Sequence, residues 1–194
     1  GLHRLVPGDP EAVNRNFPRK LSDTGLFAST RHQRLAPGVI PYSVGAAPWA
    51  DHAVAHRFLA LPGTSKLGIH KSSNIQIGNV AGGFAFPIDS VLAKTISLDL
   101  VAGDPRSRRP IETQLLHFNG QSWQAYNYIW NDTGSDAVLA EDTGSDSLFT
   151  VTDPSAPGGN RVQAWHHASR TECILCHTTR GGSLYGFTPA QLNR

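Results

Sequence analysis

Both cysteines of this chain fall within five residues, Cys173-Ile174-Leu175-Cys176-His177. That is the C-x-x-C-H spacing of covalent c-type haem attachment. On one helical turn positions i and i+3 share a face, so two thiols can reach the two vinyl groups along one haem edge. The residue after the second thiol then brings its imidazole beneath the iron. His177 is the expected proximal ligand. Two other chemistries fit the same atoms. One is a disulfide or redox pair between Cys173 and Cys176; the other is a structural zinc site completed by imidazoles, with His166 or His167 nearest in sequence.

The chain has no methionine and nine histidines, so a Met/His iron centre is excluded and the sixth position falls to another donor, to water or to an open site. Candidate sixth ligands are His52 and His56 in WADHAVAHR and His117, followed by His70, His166 and His167. A bis-histidine iron favours electron transfer; an open site favours binding or oxidising a small molecule such as nitric oxide, hydroxylamine or peroxide. Arg170, three residues before Cys173, could pair with a haem propionate, because a guanidinium matches a carboxylate with two parallel hydrogen bonds. Glu112 is expected as an edge-facing carboxylate or a partner for Arg109, with a proton-relay role as the alternative. Tyr126, Tyr128, Trp130 and Trp165 are expected first as core, and could also line a haem pocket.

These residues need a frame that holds them. Of 194 residues 39% are hydrophobic and 16% charged, enough for one sizeable core. Gly 19 and Pro 13 favour many short elements over long helices. The reading is a single mainly β domain over 1–194, an antiparallel sandwich or open barrel, with short helices around the attachment motif. Residues 1–35 form an extended segment that packs through Leu21, Leu26 and Phe27, 36–165 a β core, and 166–194 the attachment segment. β-like runs stand at 39–44, 57–61, 74–80, 90–100, 136–140, 147–151 and 161–165. A hairpin joins 111–118 to 123–130, where Asn119-Gly120 suggests a type I′ turn. Along its second arm Trp123, Ala125, Asn127 and Ile129 face one side and Gln124, Tyr126, Tyr128 and Trp130 the other, so neither face is fully solvated. Helix is expected at 170–177 and after Thr188, with Pro189 in the first helical position.

A short repeat, DTGSD, occupies 132–136 and 142–146. Repeated hairpin turns explain it best; a calcium site from Asp132, Asp136, Asp142 and Asp146 is the alternative. Two aspartic-protease carboxylates must meet across a two-fold axis, which turns ten residues apart do not offer.

PRKLSDTGLF, APGVIPYSV, PWADHAVAHRFLALP, FPIDSVLAKTISL, RPIETQLLHF, YNYIWNDTGSDAVL, WHHASRTECILCHT and YGFTPAQLNR, spread over nearly the whole chain, together resemble a poorly characterised family of exported bacterial proteins with a single C-terminal haem-attachment motif. Ser169 and Arg170 match the residues before that motif. The chain departs from the family where Ser is expected for Ala50 and Gly for His52. In layout, a Phe-Pro-led strand carrying Lys94, then an aromatic hairpin, then C-x-x-C-H, it is also similar to the β-sheet monohaem cytochromes of the cytochrome c-prime-beta and lysine-cross-linked hydroxylamine-oxidising type. That similarity implies a five-coordinate iron in a β-rich pocket and a haem-contacting or cross-linked Lys94; the plain reading of Lys94 is an exposed strand lysine.

The net charge of +2, with Arg106, Arg108 and Arg109 as its one local cluster, gives no nucleic-acid stripe. No stretch approaches the roughly 18 apolar residues of a membrane span. The reading is therefore an exported, periplasmic or extracellular monohaem c-type cytochrome, its signal sequence removed, that carries electrons to a redox partner protein. The alternatives are a haem enzyme or sensor for a small ligand, and a secreted β module with a zinc or disulfide site.

Overall fold

The structure, a computed structural model, describes residues 17–69, 80, 81, 83–177, 184 and 186–192. In chain order these form β1 (Phe27–Ser29), β2 (Arg34–Leu35), β3 (Ile40–Tyr42), β4 (Val54–Ala60), β5 (Gly68–Ile69), β6 (Val80–Ala81), β7 (Phe84–Ala85), β8 (Val91–Asp99), β9 (Arg108–Phe118), β10 (Trp123–Trp130), β11 (Ala137–Leu139), β12 (Ser145–Thr152) and β13 (Asn160–His167). Among the described residues helix is confined to Arg170–Cys176, a turn at Pro189–Leu192, and short 3-10 turns such as Leu21–Thr24. The protein is mainly β, with antiparallel sheets.

Six strands make one sheet in the order β11-β10-β9-β8-β4-β3. It stays open, with β11 and β3 at its edges, so a closed barrel is not formed. The expected run at 74–80 lies, apart from Val80, outside the described residues, while every other expected run overlaps an observed strand. β9 begins earlier than its sequence suggested and carries Pro110 inside it. Proline cannot donate to a ladder and is tolerated at a bulge. That is what occurs: Ile96 pairs with Glu112 and Ser97 with Pro110, leaving Ile111 as the extra residue.

Two turn expectations are corrected. The loop between β9 and β10 is four residues, Asn119–Ser122, rather than a two-residue type I′ turn. Asn119 Oδ1 accepts from the backbone N–H of Gln121 and of Ser122, both at 2.9 Å, and of these residues Gly120 alone takes a positive φ, 93°. The carboxamide therefore organises the turn from its first position, as Asx turns do. The DTGSD copies also differ. The first is a true hairpin turn between β10 and β11, whereas the second carries the chain from the large sheet to β12 and so joins two sheets.

Strand alternation divides the core cleanly. Phe58, Ala93, Leu115, Tyr126, Tyr128 and Trp130 turn to one face of the large sheet, where Leu21, Leu26 and Phe27 cover them as expected. Asp136 anchors that cover by accepting from the Ser22 backbone N–H (3.1 Å) and hydroxyl (2.8 Å), and Tyr128 donates its hydroxyl to the Pro18 carbonyl at 2.7 Å. On the other face, Leu59, Leu92, Phe118 and Trp123 meet Phe84, Phe86, Leu184 and Phe187 at one end. Ile96, Leu98 and Ile111 meet Phe149 and Trp165 of the β12–β13 ribbon at the other. The three clustered arginines disperse to three acids: Arg106 to Asp104, Arg108 to Asp99 and Arg109 to Asp132.

Phe86 has no solvent exposure and its ring meets those of Phe84, Trp123 and Phe187 edge-on or tilted. Phe86→Ala is expected to lower unfolding free energy by about 3–5 kcal/mol, read as a shifted denaturation midpoint with the far-ultraviolet β signature retained.

Candidate functional site

Between the two packed ends of that second face lies a cavity of about 510 Å³, whose lining includes Cys173, His177, Tyr42, Arg57, Lys94 and Gln114. The strand register explains its floor. Tyr42 is the Cα partner of Arg57, Arg57 of Lys94, Lys94 of Gln114, and Gln114 of Asn127. Directly opposed residues of antiparallel strands project to the same side, so five polar side chains form one row across five strands. The adjoining row on the same face, Leu59, Leu92, Leu116 and Ala125, is apolar.

The roof comes from three segments. The helix Arg170–Cys176 is started by a capping box: the Ser169 hydroxyl accepts from the Glu172 backbone N–H at 3.1 Å, and Glu172 Oε2 accepts from the Ser169 backbone N–H at 2.7 Å. Ser-x-x-Glu was visible in the sequence and sequence reasoning passed over it. These bonds hold the Glu172 carboxyl down at about 2, the Ser169 N–H most of all, followed by His166. Gly144, from the second DTGSD, packs against the box with φ +73°; a Cβ there would lie 3.1 Å from His167 O and Ser169 N. Residues 44–48 form the second segment. Gly45 N donates to Gln191 O at 2.7 Å and Ala46 N to Gln191 Oε1 at 3.0 Å, which ties the strap to the third segment, the turn Pro189–Leu192. Thr188 starts that turn as anticipated, its carbonyl accepting from Gln191 and Leu192.

The two cysteines are unbonded to each other and differ in setting: Cys173 is partly buried and lines the cavity, Cys176 is exposed. Burial pushes the Cys173 thiol up, and Glu112 adds to that. Lys94 is not the exposed strand lysine of the plain reading. It lines the cavity, and burial pushes its ammonium below the ordinary range, with Glu112 pulling back and Arg57 pushing further down. Arg170 stands at the edge of β10, where its guanidinium lies 4.6 Å from the Tyr126 ring centroid and donates to Gln124 Oε1 at 3.1 Å. Tyr126 touches the cavity and stacks on Phe17 at 3.5 Å, while Tyr128 and Trp130 belong to the opposite core.

The candidate sixth ligands fall elsewhere. His117 pairs with Asp89 at 3.0 Å and His56 is the Cα partner of Thr95; both project from the face opposite the cavity. His52 is exposed at φ 65°, its ring 4.7 Å from that of Trp49, and it lines a separate cavity with Asp99, Asp153 and Arg161. Glycine adopts that left-handed backbone without strain, and a histidine there carries the strain of a side chain. His166 is held by Asp146 (2.7 Å) and Glu172 (3.1 Å), which raise its imidazole above the usual range. His70 lies outside the described residues. Among the described residues, His177 is the histidine that lines the cavity. No three His, Cys, Asp or Glu among them converge as a metal site would; Asp132, Asp136 and Asp146 go instead to Arg109, Ser22 and His166.

The chain matches no family model, no curated protein and no solved structure.

Behind the floor lies a group whose environment the sequence misassigned. Glu112 is neither at an edge nor paired with Arg109. It is 0% exposed, as is His167. Its Oε2 accepts from Trp165 Nε1 at 2.6 Å and its Oε1 from Gln114 Nε2 at 2.8 Å; His167 Nδ1 lies 3.6 Å away, and His167 Nε2 is 2.9 Å from Ser147 Oγ. Burial alone would raise this carboxyl, and the His167 imidazole with the Trp165 and Gln114 donors more than offsets it, leaving it below the ordinary 4.5. Gln114 thereby lines the cavity while its Nε2 donates to Glu112. Arg57, Gln114, Tyr42 and Gln191 had no sequence signal beyond being polar residues in short apolar runs.

The donor set fits the group suggested by its spacing. A cavity of this size lies within the range of cofactor pockets, roughly 300–1,000 Å³, and a half-buried thiol, a second thiol one turn on and an imidazole are the chemistry of thioether attachment and iron ligation.

Because the folded Glu112 binds its proton more weakly than the unfolded one, it contributes stability above pH 4.5 that is lost as pH falls through its folded value. Glu112→Gln is expected to destabilise by about 1–3 kcal/mol at neutral pH. In denaturation series from pH 7 to pH 3 the gap to wild type should narrow steadily below pH 5.

Proposed function

We propose that this protein is an exported monohaem c-type cytochrome that binds a small ligand in its cavity, with Cys173 and Cys176 as the attachment thiols and His177 as the proximal iron ligand. The observation that carries the reading is the meeting of Cys173 and His177 with Lys94, Arg57 and Gln114 in one cavity of cofactor size. The attachment motif and the resemblance in layout support it independently.

The choice between electron carrier and ligand-binding protein turns on the other side of the cavity. Of the candidate sixth ligands, His56 and His117 project from the face opposite the cavity, His52 lines a separate cavity, His166 and His167 are held by carboxylate and serine partners, and His70 lies outside the described residues. The polar row supplies other groups: the ammonium of Lys94, the guanidinium of Arg57 and the Gln114 carboxamide. Haem, when bound, supplies an iron centre that can coordinate a diatomic or nitrogenous ligand. Around it, the Gln114 carboxamide would hydrogen-bond a ligand, and Lys94 and Arg57 would donate to a ligand oxygen. Leu92, Leu116 and Phe187 exclude water from the apolar side. Small-ligand binding or oxidation is therefore favoured over outer-sphere electron transfer, and periplasmic or extracellular location follows from where such attachment takes place.

Purified from a host that matures c-type cytochromes, the protein should be coloured, keep its haem through acid-acetone extraction, and lose that retention in Cys173→Ala. Carbon monoxide should shift the spectrum of the reduced protein. A colourless product would sink the haem reading, and a spectrum indifferent to carbon monoxide would return the protein to the electron carriers.

A further inference from the structure

A cation partly withdrawn from water gains from a neighbouring negative charge, the more so beside a second cation. Arg57 and Lys94 are direct partners across β4 and β8, which places their Cβ atoms about 5 Å apart on one face. Both line the cavity. Among the described residues neither has a carboxylate within ion-pair distance; the ion pairs that exist join other residues. Arg57 spends one N–H on the Ala55 carbonyl at 3.4 Å, a long contact that leaves most of its donors uncommitted. The nearest acid on the same face is Glu112, in the next row, and its oxygens are taken by Gln114 and Trp165. Tyr42, on the other side of Arg57, adds a hydroxyl whose proton is firmly held, because burial pushes it up to about 12. Two cations and a hydroxyl thus stand side by side with no carboxylate among them.

We infer that this floor is an anion site, in which Arg57, Lys94 and Tyr42 bind a carboxylate or a two-oxygen anion of the formate and nitrite class. The planar fork of Arg57 matches two oxygens on one atom, the Lys94 ammonium adds a point charge beside it, and Tyr42 donates a neutral hydrogen bond. Burial and Arg57 both work against the charge on Lys94, and an anion between the two cations relieves both effects. The inference goes beyond the haem reading, since the cations need a counter-charge whatever fills the rest of the cavity. Two sources offer that chemistry: a free anion, or the carboxylates of a haem bound in the same cavity.

Sodium formate and sodium nitrite are titrated calorimetrically at fixed ionic strength into the purified full-length protein and into Arg57→Gln and Lys94→Met. Resonance Raman propionate bands are recorded on the same samples. A free-anion site predicts saturable binding that weakens at least tenfold in each variant, with haem content unchanged. A site filled by the haem carboxylates predicts no titration in wild type and a shift of the propionate bands in both variants. Equal affinity in wild type and variants, or neither binding nor band shift, overturns the inference. Arg57→Lys, which keeps the charge and loses the fork, should bind with intermediate affinity and guards against a misfolded Arg57→Gln. A colourless protein would end the haem reading, and the titration on that same sample would still decide the anion site.

Discussion

A carboxylate with no access to water sits at the junction of the two sheets, and much of this architecture follows from satisfying it. Glu112 takes donors from its own strand, through Gln114, and from the β12–β13 ribbon, through Trp165, with the His167 imidazole alongside. An unpaired charge there would cost several kcal/mol, so the ribbon cannot slide along the large sheet without stranding it. The bulge at Ile111 serves the same end, because the extra residue lets Ile111 and Glu112 both turn toward the ribbon. With the ribbon fixed, β13 delivers the chain through His166 and His167 to Ser169, and the helix bearing both cysteines begins beside the cavity.

Electrostatic order continues outward from that point. His166, one residue from the buried His167, faces solvent and bridges Asp146 to Glu172, so adjacent imidazoles on one strand do opposite jobs. One stabilises an interior carboxylate and the other braces the cap of the helix that bears the cysteines. Strand alternation alone produces this division. Gly144 completes the brace by bringing its backbone close enough to the cap that no side chain fits between.

The sequence made the local features legible and left the lateral ones hidden. Strand runs, the helix around Cys173, the start of the turn at Thr188 and the packing role of Leu21, Leu26 and Phe27 all follow from periodicity and capping, which act within a few residues. The meaning of Lys94 does not. Its chemistry depends on Arg57 and Gln114, and that neighbourhood is a property of register between strands far apart in the chain. Glu112 misled for the same reason: beside Arg109 in sequence it suggested a surface pair, yet Arg109 goes to Asp132 while the Glu112 oxygens are taken by Gln114 and Trp165. His52, His56 and His117 were candidates by residue type, and type says nothing about which face of a sheet a side chain leaves.

The two cysteines, three residues apart on one helix, are not equivalent reagents. Cys176 stands in solvent, while Cys173 opens into the cavity. Before either sulfur is bonded, thiol chemistry on the folded chain is therefore graded: Cys176 is open to reagents of any size, whereas the half-buried Cys173, its thiol pushed up by burial, is the slower to react.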